Sequence, residues 1–471
     1  MHKLFTASLA LALVAPLGAL ADGASSTAAE IQLLRNEMEA MRAQYEARLQ
    51  AMEQRLLQVQ RLLQVQRFAA STPPQAPVPV EPLQAAAPLP VANGGGANAF
   101  NPAMSLILAG GYTRTSQDPT GYHMTGLQLP AGSGAGPGSR GFGLGESELG
   151  LAANIDPWLR GAANISLHPD NTVSVEEAFI QTTALSEGLS LKAGRFFSGV
   201  GYLNSQHAHT WDFVDNPLVY QAFLGTQYGD DGVQLRWLAP TDQYLELGAE
   251  LGRGRSFPGS DTGRNGTGMS ALTLHTGGDI GDSHNWRAGV SLLTAQATDQ
   301  SLTTMDASGS KGINSSFTGN TRVWVLDGVW KWAPNGNATR TSFKMQGEYL
   351  QSTRSGSLSY DPGNAILSDA YRAEQSGWYV QGVYQFMPSW RLGLRTERLS
   401  PGATDYAINP ALLARSGYQP NKNSLMFDFN PSEFSRIRLQ LAQDKSRQGL
   451  ADSQFSLQYQ MSLGAHGAHS Y

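Results

Sequence analysis

A short segment of the chain carries four side chains of the kinds that bind metal ions. Between Gln206 and Asp215 the sequence places His207, His209, Asp212 and Asp215 within nine residues. Imidazole nitrogens and carboxylate oxygens are ligands of zinc and of other borderline divalent ions. The spacing is not diagnostic, so the same side chains also fit a hydrogen-bonded or merely exposed loop. The segment therefore predicts a candidate metal site with these four residues as ligands and zinc as the candidate cofactor.

Enzyme constellations are absent from the sequence. It contains no Gly-x-Ser-x-Gly elbow, no phosphate-binding loop and no His-Glu-x-x-His motif. Covalent catalysis needs a paired nucleophile and base, and no persuasive pair is evident. We therefore expect a protein that is not an enzyme and has no catalytic residues.

The elements that would position the candidate ligands are strands. Every second residue is apolar from Phe455 to Leu463, and similar alternation bounded by turn residues recurs about sixteen times beyond residue 101. In hydrocarbon all backbone groups must be paired, and only a closed sheet pairs every strand edge. The pattern predicts an all-β transmembrane barrel of about 16 antiparallel strands over residues 101–471. The strands are expected near 104–113, 143–155, 159–167, 172–184, 189–196, 230–239, 243–252, 269–279, 285–296, 320–332, 339–351, 375–387, 389–398, 423–429, 434–443 and 453–463.

Short turns alternate with long loops along these strands, as expected when both termini of a barrel lie in the periplasm and the long loops face outward. The longest loop, 197–229, is rich in aromatic and polar side chains and includes the candidate metal ligands. We expect it to fold inward and to gate or narrow the lumen.

Alternation also assigns charged side chains to the barrel interior. In 434–443, Ile437, Leu439 and Leu441 are expected to face lipid, which turns Arg436 and Arg438 inward. A lumen with opposite charges on different walls sets up a transverse field that orients polar solutes. The alternative is that barrel interiors are wet, so charges there cost little and carry no special role. The predicted pore-lining residues are Arg236, Arg287, Lys344, Arg391, Arg395, Arg436, Arg438, Glu146, Glu148, Glu246, Glu250 and Glu348, to which Glu397 and Asp428 are added as inward acids.

The N-terminal hundred residues predict three further segments. Residues 1–21 resemble a secretory signal peptide, with Lys3 before a short apolar run and a small-x-small cleavage site. Residues 27–68 show heptad spacing with one stutter, which favours an α-helical coiled coil, and 69–100 form a linker rich in Pro, Ala and Gly. Cleavage would leave 32 basic and 38 acidic residues, a net charge of −6, which suggests no nucleic-acid partner. The 471 residues include no cysteine, which excludes a disulfide scaffold.

Two resemblances extend this interpretation. The order of signal peptide, coiled coil, spacer and barrel is similar to that of trimeric outer-membrane porins with a periplasmic coiled coil, a group of phosphate-selective and dicarboxylate type. The segments Tyr202–Leu218, Asp230–Trp237 and Met461–His469 resemble a proteobacterial family often labelled zinc-regulated, TonB-dependent outer-membrane receptors. A TonB-dependent transporter needs a plug domain and a 22-stranded barrel, and residues 22–100 hold neither, so energised transport is not expected.

Together these observations predict a homotrimeric porin in the outer membrane of a Gram-negative bacterium, with the N-terminal helix in the periplasm. It would form a passive, water-filled channel for small hydrophilic or charged solutes. One alternative is an outer-membrane channel or receptor for zinc or another divalent metal; another is a structural tether of the envelope. The expected partners are outer-membrane lipid, further copies joined through the coiled coil, and the barrel assembly machinery, which would recognise the C-terminal strand ending at Tyr471.

Overall fold

The computed structural model describes residues 102–464 except 261–264, 306–311, 361–366, 408–412 and 414. The predicted signal peptide, coiled coil and linker, and the C-terminal residues through Tyr471, lie outside the described residues.

Sixteen antiparallel strands form the body of the structure. In chain order they are β1 Ala103–Thr115, β2 in two segments Gly141–Leu144 and Ser147–Asn154, β3 Leu159–Leu167, β4 Val173–Thr182, β5 Leu189–Phe197, β6 Gly229–Leu238, β7 Tyr244–Gly252, β8 Met269–Ile280, β9 His284–Met305, β10 Gly312–Trp332, β11 Ser342–Tyr360, β12 Leu367–Met387, β13 Trp390–Asp405, β14 Asn421–Ser432, β15 Ser435–Lys445 and β16 Asp452–Gly464.

The sheet closes on itself. Each strand pairs with its neighbour in sequence, both segments of β2 pair with β1, and β16 pairs with β1 through contacts such as Ala109 opposite Gln460. Closure gives every described strand a paired neighbour on both sides, which is the condition for a sheet that meets hydrocarbon. The predicted barrel of sixteen antiparallel strands is confirmed.

Several strands run further than their apolar alternation indicates. The alternation predicts 285–296 and 320–332, whereas β9 spans His284–Met305 and β10 spans Gly312–Trp332. The added residues are mostly Ser, Thr, Asn, Gln and Gly. Backbone pairing continues there although no apolar outward face is required, because these strand ends extend past the apolar band. The apolar pattern therefore measures the depth of the hydrocarbon and not the length of the strand.

The barrel is apolar on its outer surface, whereas its interior holds charged and polar side chains together with a buried apolar cluster. In β15 the side chain of Ile437 is 39% exposed, whereas its neighbour Arg438 is 1% exposed and faces the interior. The described residues include no helix of the length and apolarity needed to cross a membrane. An outward apolar surface of this kind is stable only against lipid. It includes Leu108, Leu191, Val233, Leu235, Leu272, Leu274, Trp324, Leu326, Leu392, Leu394, Leu425, Phe427, Ile437 and Leu441.

We expect Leu394→Arg to destabilise the barrel more than Thr396→Arg. Leu392, Leu394, Thr396 and Arg398 follow one another on the outward face of β13, so the apolar band ends between Leu394 and Thr396. An outward arginine costs about 0–1 kcal/mol near the edge of the bilayer and more with depth, up to about 2–4 kcal/mol at its midplane. The position just inside the band should therefore lose more stability than the position just outside it. Denaturant unfolding in lipid vesicles, followed by tryptophan fluorescence, measures both variants. Equal losses of unfolding free energy would contradict the assigned edge.

Candidate functional site in the barrel interior

The loop between β5 and β6, residues 198–228 and here called the inner loop, lies inside the barrel. It contains a 3₁₀ turn, Ala208–Thr210, and one short helix, α1 (Leu218–Leu224). Pro217 precedes α1, and Gly225 ends it in the left-handed region at φ 61°, which glycine adopts without strain. Every residue of α1 is buried, and the helix packs against β11, β12 and β13.

Two wall carboxylates hold the first part of the inner loop. Glu250 accepts hydrogen bonds from Ser198 Oγ at 2.6 Å and from the Gly199 backbone N–H at 2.8 Å. Glu348 accepts four: from the backbone N–H groups of Tyr202 and Leu203 at 3.1 and 3.0 Å, and from two tyrosine hydroxyls, of Tyr220 at 2.8 Å and Tyr379 at 2.6 Å. Glu348 thereby joins the start of the loop, α1 and β12 at one buried point.

Asn204 ties the two ends of the inner loop together. Its side-chain amide donates to the backbone oxygens of Ser198 at 2.8 Å and Tyr228 at 2.9 Å, and its oxygen accepts from the Tyr228 N–H at 2.8 Å. The side chain is fully buried. Because its side-chain amide makes three buried hydrogen bonds, Asn204 fixes the base of the loop beside β5 and β6.

The histidine part of the inner loop contacts acidic side chains of β2 and β4. His207 Nδ1 lies 3.1 Å from oxygens of both Glu148 and Glu176, and its Nε2 lies 2.9 Å from Glu177. His209 Nδ1 lies 3.1 Å from the same oxygen of Glu148. Burial alone would lower the pKa of His207, but hydrogen bonds to the three carboxylates hold that pKa well above its ordinary value.

The aspartate part of the loop contacts cations on other strands. Asp212 pairs with Lys344 and, at 3.1 Å, with Arg391. Asp215 pairs with Arg395 at 2.8 Å and with Lys422 at 2.5 Å.

Burial opposes ionisation of Asp212 and Asp215, but these cations hold the pKa of each carboxyl well below its usual range. The ion pairs are therefore fully present above the ordinary carboxyl pKa of 3.8 and are lost only as the pH falls through the lower folded values.

The inner loop thus bridges opposite sides of the barrel. Glu176 and Glu177 lie on β4, whereas Gln381, which donates to Asp212 at 3.4 Å, lies on β12. These two strands are eight apart in a ring of sixteen. The histidines of the loop meet an acidic wall, formed by Glu148, Glu176 and Glu177. Its aspartates meet a basic wall, formed by Lys344, Arg391, Arg395 and Lys422. Attraction between opposite charges therefore holds the loop on both sides of the barrel.

The four predicted metal ligands do not form one site in this arrangement. Asp212 and Asp215 are engaged by Lys344, Arg391, Arg395 and Lys422, away from the carboxylates that meet the histidines. Closeness in sequence does not bring the side chains together, because the backbone passes from one wall to another within these residues. Among the described residues, one group of possible ligands has its donor atoms within 4.8 Å of one another: Glu148, Glu176 and His207.

Most of the predicted pore-lining residues face the interior and contact the inner loop or each other. Arg438 donates to Asp428 at 2.7 Å and to the Trp211 backbone oxygen at 2.8 Å. Arg436 donates to the His209 backbone oxygen at 2.9 Å. Their action on a passing solute stays a prediction. The remaining contacts are Arg236 with Glu246 at 3.3 Å, Arg287 over the Tyr202 ring at 5.3 Å, Arg395 with Glu397 at 3.0 Å, and Glu146 with Ser166 at 3.5 Å.

A second crossing segment was not found by the sequence analysis. Residues 116–140, here called the outer loop, connect β1 to β2, yet Leu129 and Pro130 pair with Thr303 and Leu302 of β9. Since β9 lies eight strands from β1, the outer loop spans the barrel as well. The sequence feature that could have indicated this crossing is the group Met124, Leu127 and Leu129 in a stretch otherwise rich in Gly and polar residues. Apolar side chains in a long loop need a surface to cover them.

The outer loop packs on the inner loop. The buried side chains of Met124, Leu127 and Leu129 belong to the same apolar cluster as α1. The Gly136 N–H donates to Gln221 of α1 at 2.9 Å, and Gln375 of β12 donates to the Gly126 oxygen at 3.1 Å. The two loops therefore form one layer across the interior.

The fold and this interior define a membrane-spanning β-barrel protein. No protein-family model matches the chain. A protein of Aquifex aeolicus (strain VF5), described only as uncharacterized, is 31% identical over 407 residues, which cover 79% of this chain and 80% of the relative. The chain belongs to the same family as that protein.

Solved outer-membrane barrels resemble the chain more distantly. The outer-membrane channel DcaP of Acinetobacter baumannii is 12% identical with a TM-score of 0.46, covering 77% of this chain and 97% of its own. An anion-selective porin of Comamonas acidovorans is 10% identical with a TM-score of 0.46, and the match covers 77% of this chain and 99% of the porin. OmpT of Vibrio cholerae is 10% identical with a TM-score of 0.45, and the match covers 77% of this chain and 98% of OmpT. The predicted resemblance to zinc-regulated, TonB-dependent receptors finds no support in these relatives.

Proposed function

We propose that the protein is an outer-membrane porin, a passive water-filled channel for small hydrophilic or charged solutes, narrowed by the inner loop. One observation carries the proposal: a loop held by ion pairs and buried hydrogen bonds reaches from β4 to β12 inside a closed barrel. A structural anchor has no need of a polar interior crossed by such a loop.

The charges around the inner loop support a preference for polar solutes. The side chains of Lys344 and Arg391 are each 24% exposed on the basic wall, and His207 is 15% exposed beside the acidic wall. A solute passing between these walls would experience a field across the channel, which favours dipolar and charged molecules over apolar ones.

The N-terminal residues would place a coiled coil in the periplasm and join three copies, and the C-terminal strand ending at Tyr471 would be read by the barrel assembly machinery. A metal-uptake channel is the second candidate, favoured by the contact of His207 with Glu148 and Glu176.

Planar-bilayer recording of the purified full chain tests the function. We expect steady single-channel conductance in potassium chloride that continues without any energy source. A preparation that forms folded barrels in the bilayer without conductance would overturn the porin and favour an envelope tether. Currents carried selectively by zinc over potassium would favour the second candidate. Heat-modified mobility on gels verifies that the barrel is folded before each recording.

A further inference from the structure

We propose that His207, His209, Glu148 and Glu176 form a binding site for one divalent first-row metal ion, with zinc as the best-fitting representative. The site differs from the predicted one because wall carboxylates replace Asp212 and Asp215. It clamps the inner loop to β2 and β4, and it does not depend on whether the barrel conducts.

The donor atoms of three of these residues already lie together, because those of Glu148, Glu176 and His207 are within 4.8 Å of one another, and His209 contacts the same Glu148 oxygen. Glu148 Oε2 lies 3.1 Å from Nδ1 of both histidines, and Glu176 Oε2 lies 3.1 Å from His207 Nδ1. In tetrahedral zinc sites the metal lies about 2.0–2.2 Å from nitrogen and oxygen ligands, which places neighbouring donors about 3.3–3.5 Å apart. Small outward movements of Glu148, Glu176 and His207 would therefore admit the ion, and His209 would move towards it to become the fourth ligand.

The ring of His207 is oriented as a metal-binding imidazole would be. Its Nδ1 faces Glu148 and Glu176, whereas its Nε2 faces Glu177 and the side-chain amide of Asn164, each at 2.9 Å. A metal-ligating histidine typically donates its other ring N–H to a carboxylate, which fixes the ring and raises its basicity. Glu177 is itself held, since it accepts the Phe197 backbone N–H at 3.1 Å. Glu177 therefore acts as a positioning residue for the proposed site.

The charges around the site favour a divalent cation. Four carboxyl groups, those of Glu146, Glu148, Glu176 and Glu177, surround two imidazoles. The side chains of Glu148 and Glu176 are 8% and 12% exposed, which limits screening by water. A divalent ion would neutralise two of these charges where a bound proton neutralises one. Oxygen and imidazole donors together suit zinc better than magnesium or calcium.

Titration of the chelated, purified full chain with Zn²⁺ alone, followed by calorimetry, tests the site. We expect the wild type to bind one zinc ion per chain. We expect at least tenfold weaker zinc binding in Glu176→Gln and in His207→Gln. Each substitution preserves the approximate size of the side chain, and heat-modified gel mobility identifies variants that do not fold. Zinc should also slow proteolysis within the inner loop of the wild type but not of Glu176→Gln.

Two controls separate this site from other histidines. His284→Gln removes a histidine in another part of the barrel, where it stacks on Trp330, and His466→Gln/His469→Gln removes the C-terminal pair. Both controls should bind zinc as the wild type does. The inference is overturned if the wild type binds no zinc, if Glu176→Gln and His207→Gln bind it unchanged, or if the C-terminal variant loses the binding. A barrel that conducts but binds no zinc would support the proposed porin function and overturn the zinc site. A barrel that binds zinc but does not conduct would support the zinc site and overturn the porin function.

Discussion

Replacing Asp212 and Asp215 together by asparagine should make the channel several-fold more selective for anions. The two carboxylates neutralise part of a basic wall formed by Lys344, Arg391, Arg395 and Lys422. Asparagine keeps the size of the side chain and removes both negative charges. Arg391 keeps Asp428 and Arg395 keeps Glu397, but Lys344 and Lys422 lose their ion-pair partners. The more positive field would then attract anions and repel cations at the narrowed level of the lumen.

The reversal potential in a salt gradient measures this change. Asp405→Asn provides a matched control, because Asp405 forms an exposed pair with Arg415 outside the narrowed region, and it should leave selectivity unchanged. An unchanged reversal potential for the double variant, in channels of normal conductance, would show that permeating ions do not pass beside these residues.

The second large effect is expected from Glu348→Ala, which should raise single-channel conductance several-fold and make it noisy. Its carboxylate accepts from Tyr202, Leu203, Tyr220 and Tyr379. Each donor left without a partner in a buried site costs about 1–3 kcal/mol. The inner loop loses its main anchor to β11, while the strand pairing that closes the barrel is untouched, so the loop should detach from a barrel that stays folded.

Glu348→Gln is the graded control for this prediction. Glutamine retains one acceptor oxygen but presents an amide donor to groups that themselves donate, so we expect conductance between that of the wild type and that of Glu348→Ala. Limited proteolysis should cut the inner loop faster in the alanine variant than in the glutamine variant. Wild-type conductance together with faster proteolysis would show that the loop does not narrow the path of ions.

The strands and their facing could be predicted from the sequence because lipid imposes a strict rule on them. Leu392 and Leu394 lie outward while Arg395 and Glu397 lie inward, as the period-two pattern indicates. The alternation ends where the hydrocarbon ends, so the polar ends of β9 and β10 beyond the apolar band were missed. It also assigns no partner to an inward charge.

The partners of the inward charges depend on contacts between residues far apart in sequence. Glu348 was predicted to line the pore, and its hydrogen bonds to backbone and hydroxyl groups of the inner loop and of β12 could not be predicted. His207 and Asp212 were predicted to bind one ion, whereas they lie against walls of opposite charge. The path of a loop through an interior leaves no periodic signal, and the outer loop was missed for the same reason.

Polymer exclusion measured in planar bilayers tests the central claim that the inner loop narrows an open channel. Neutral polyethylene glycols of increasing size are added on both sides, and the conductance of the wild type is compared with that of Glu348→Ala. A wild-type channel that only small polymers enter, beside a variant that larger polymers enter, is the predicted result. Equal size limits for two folded, conducting proteins would contradict the account.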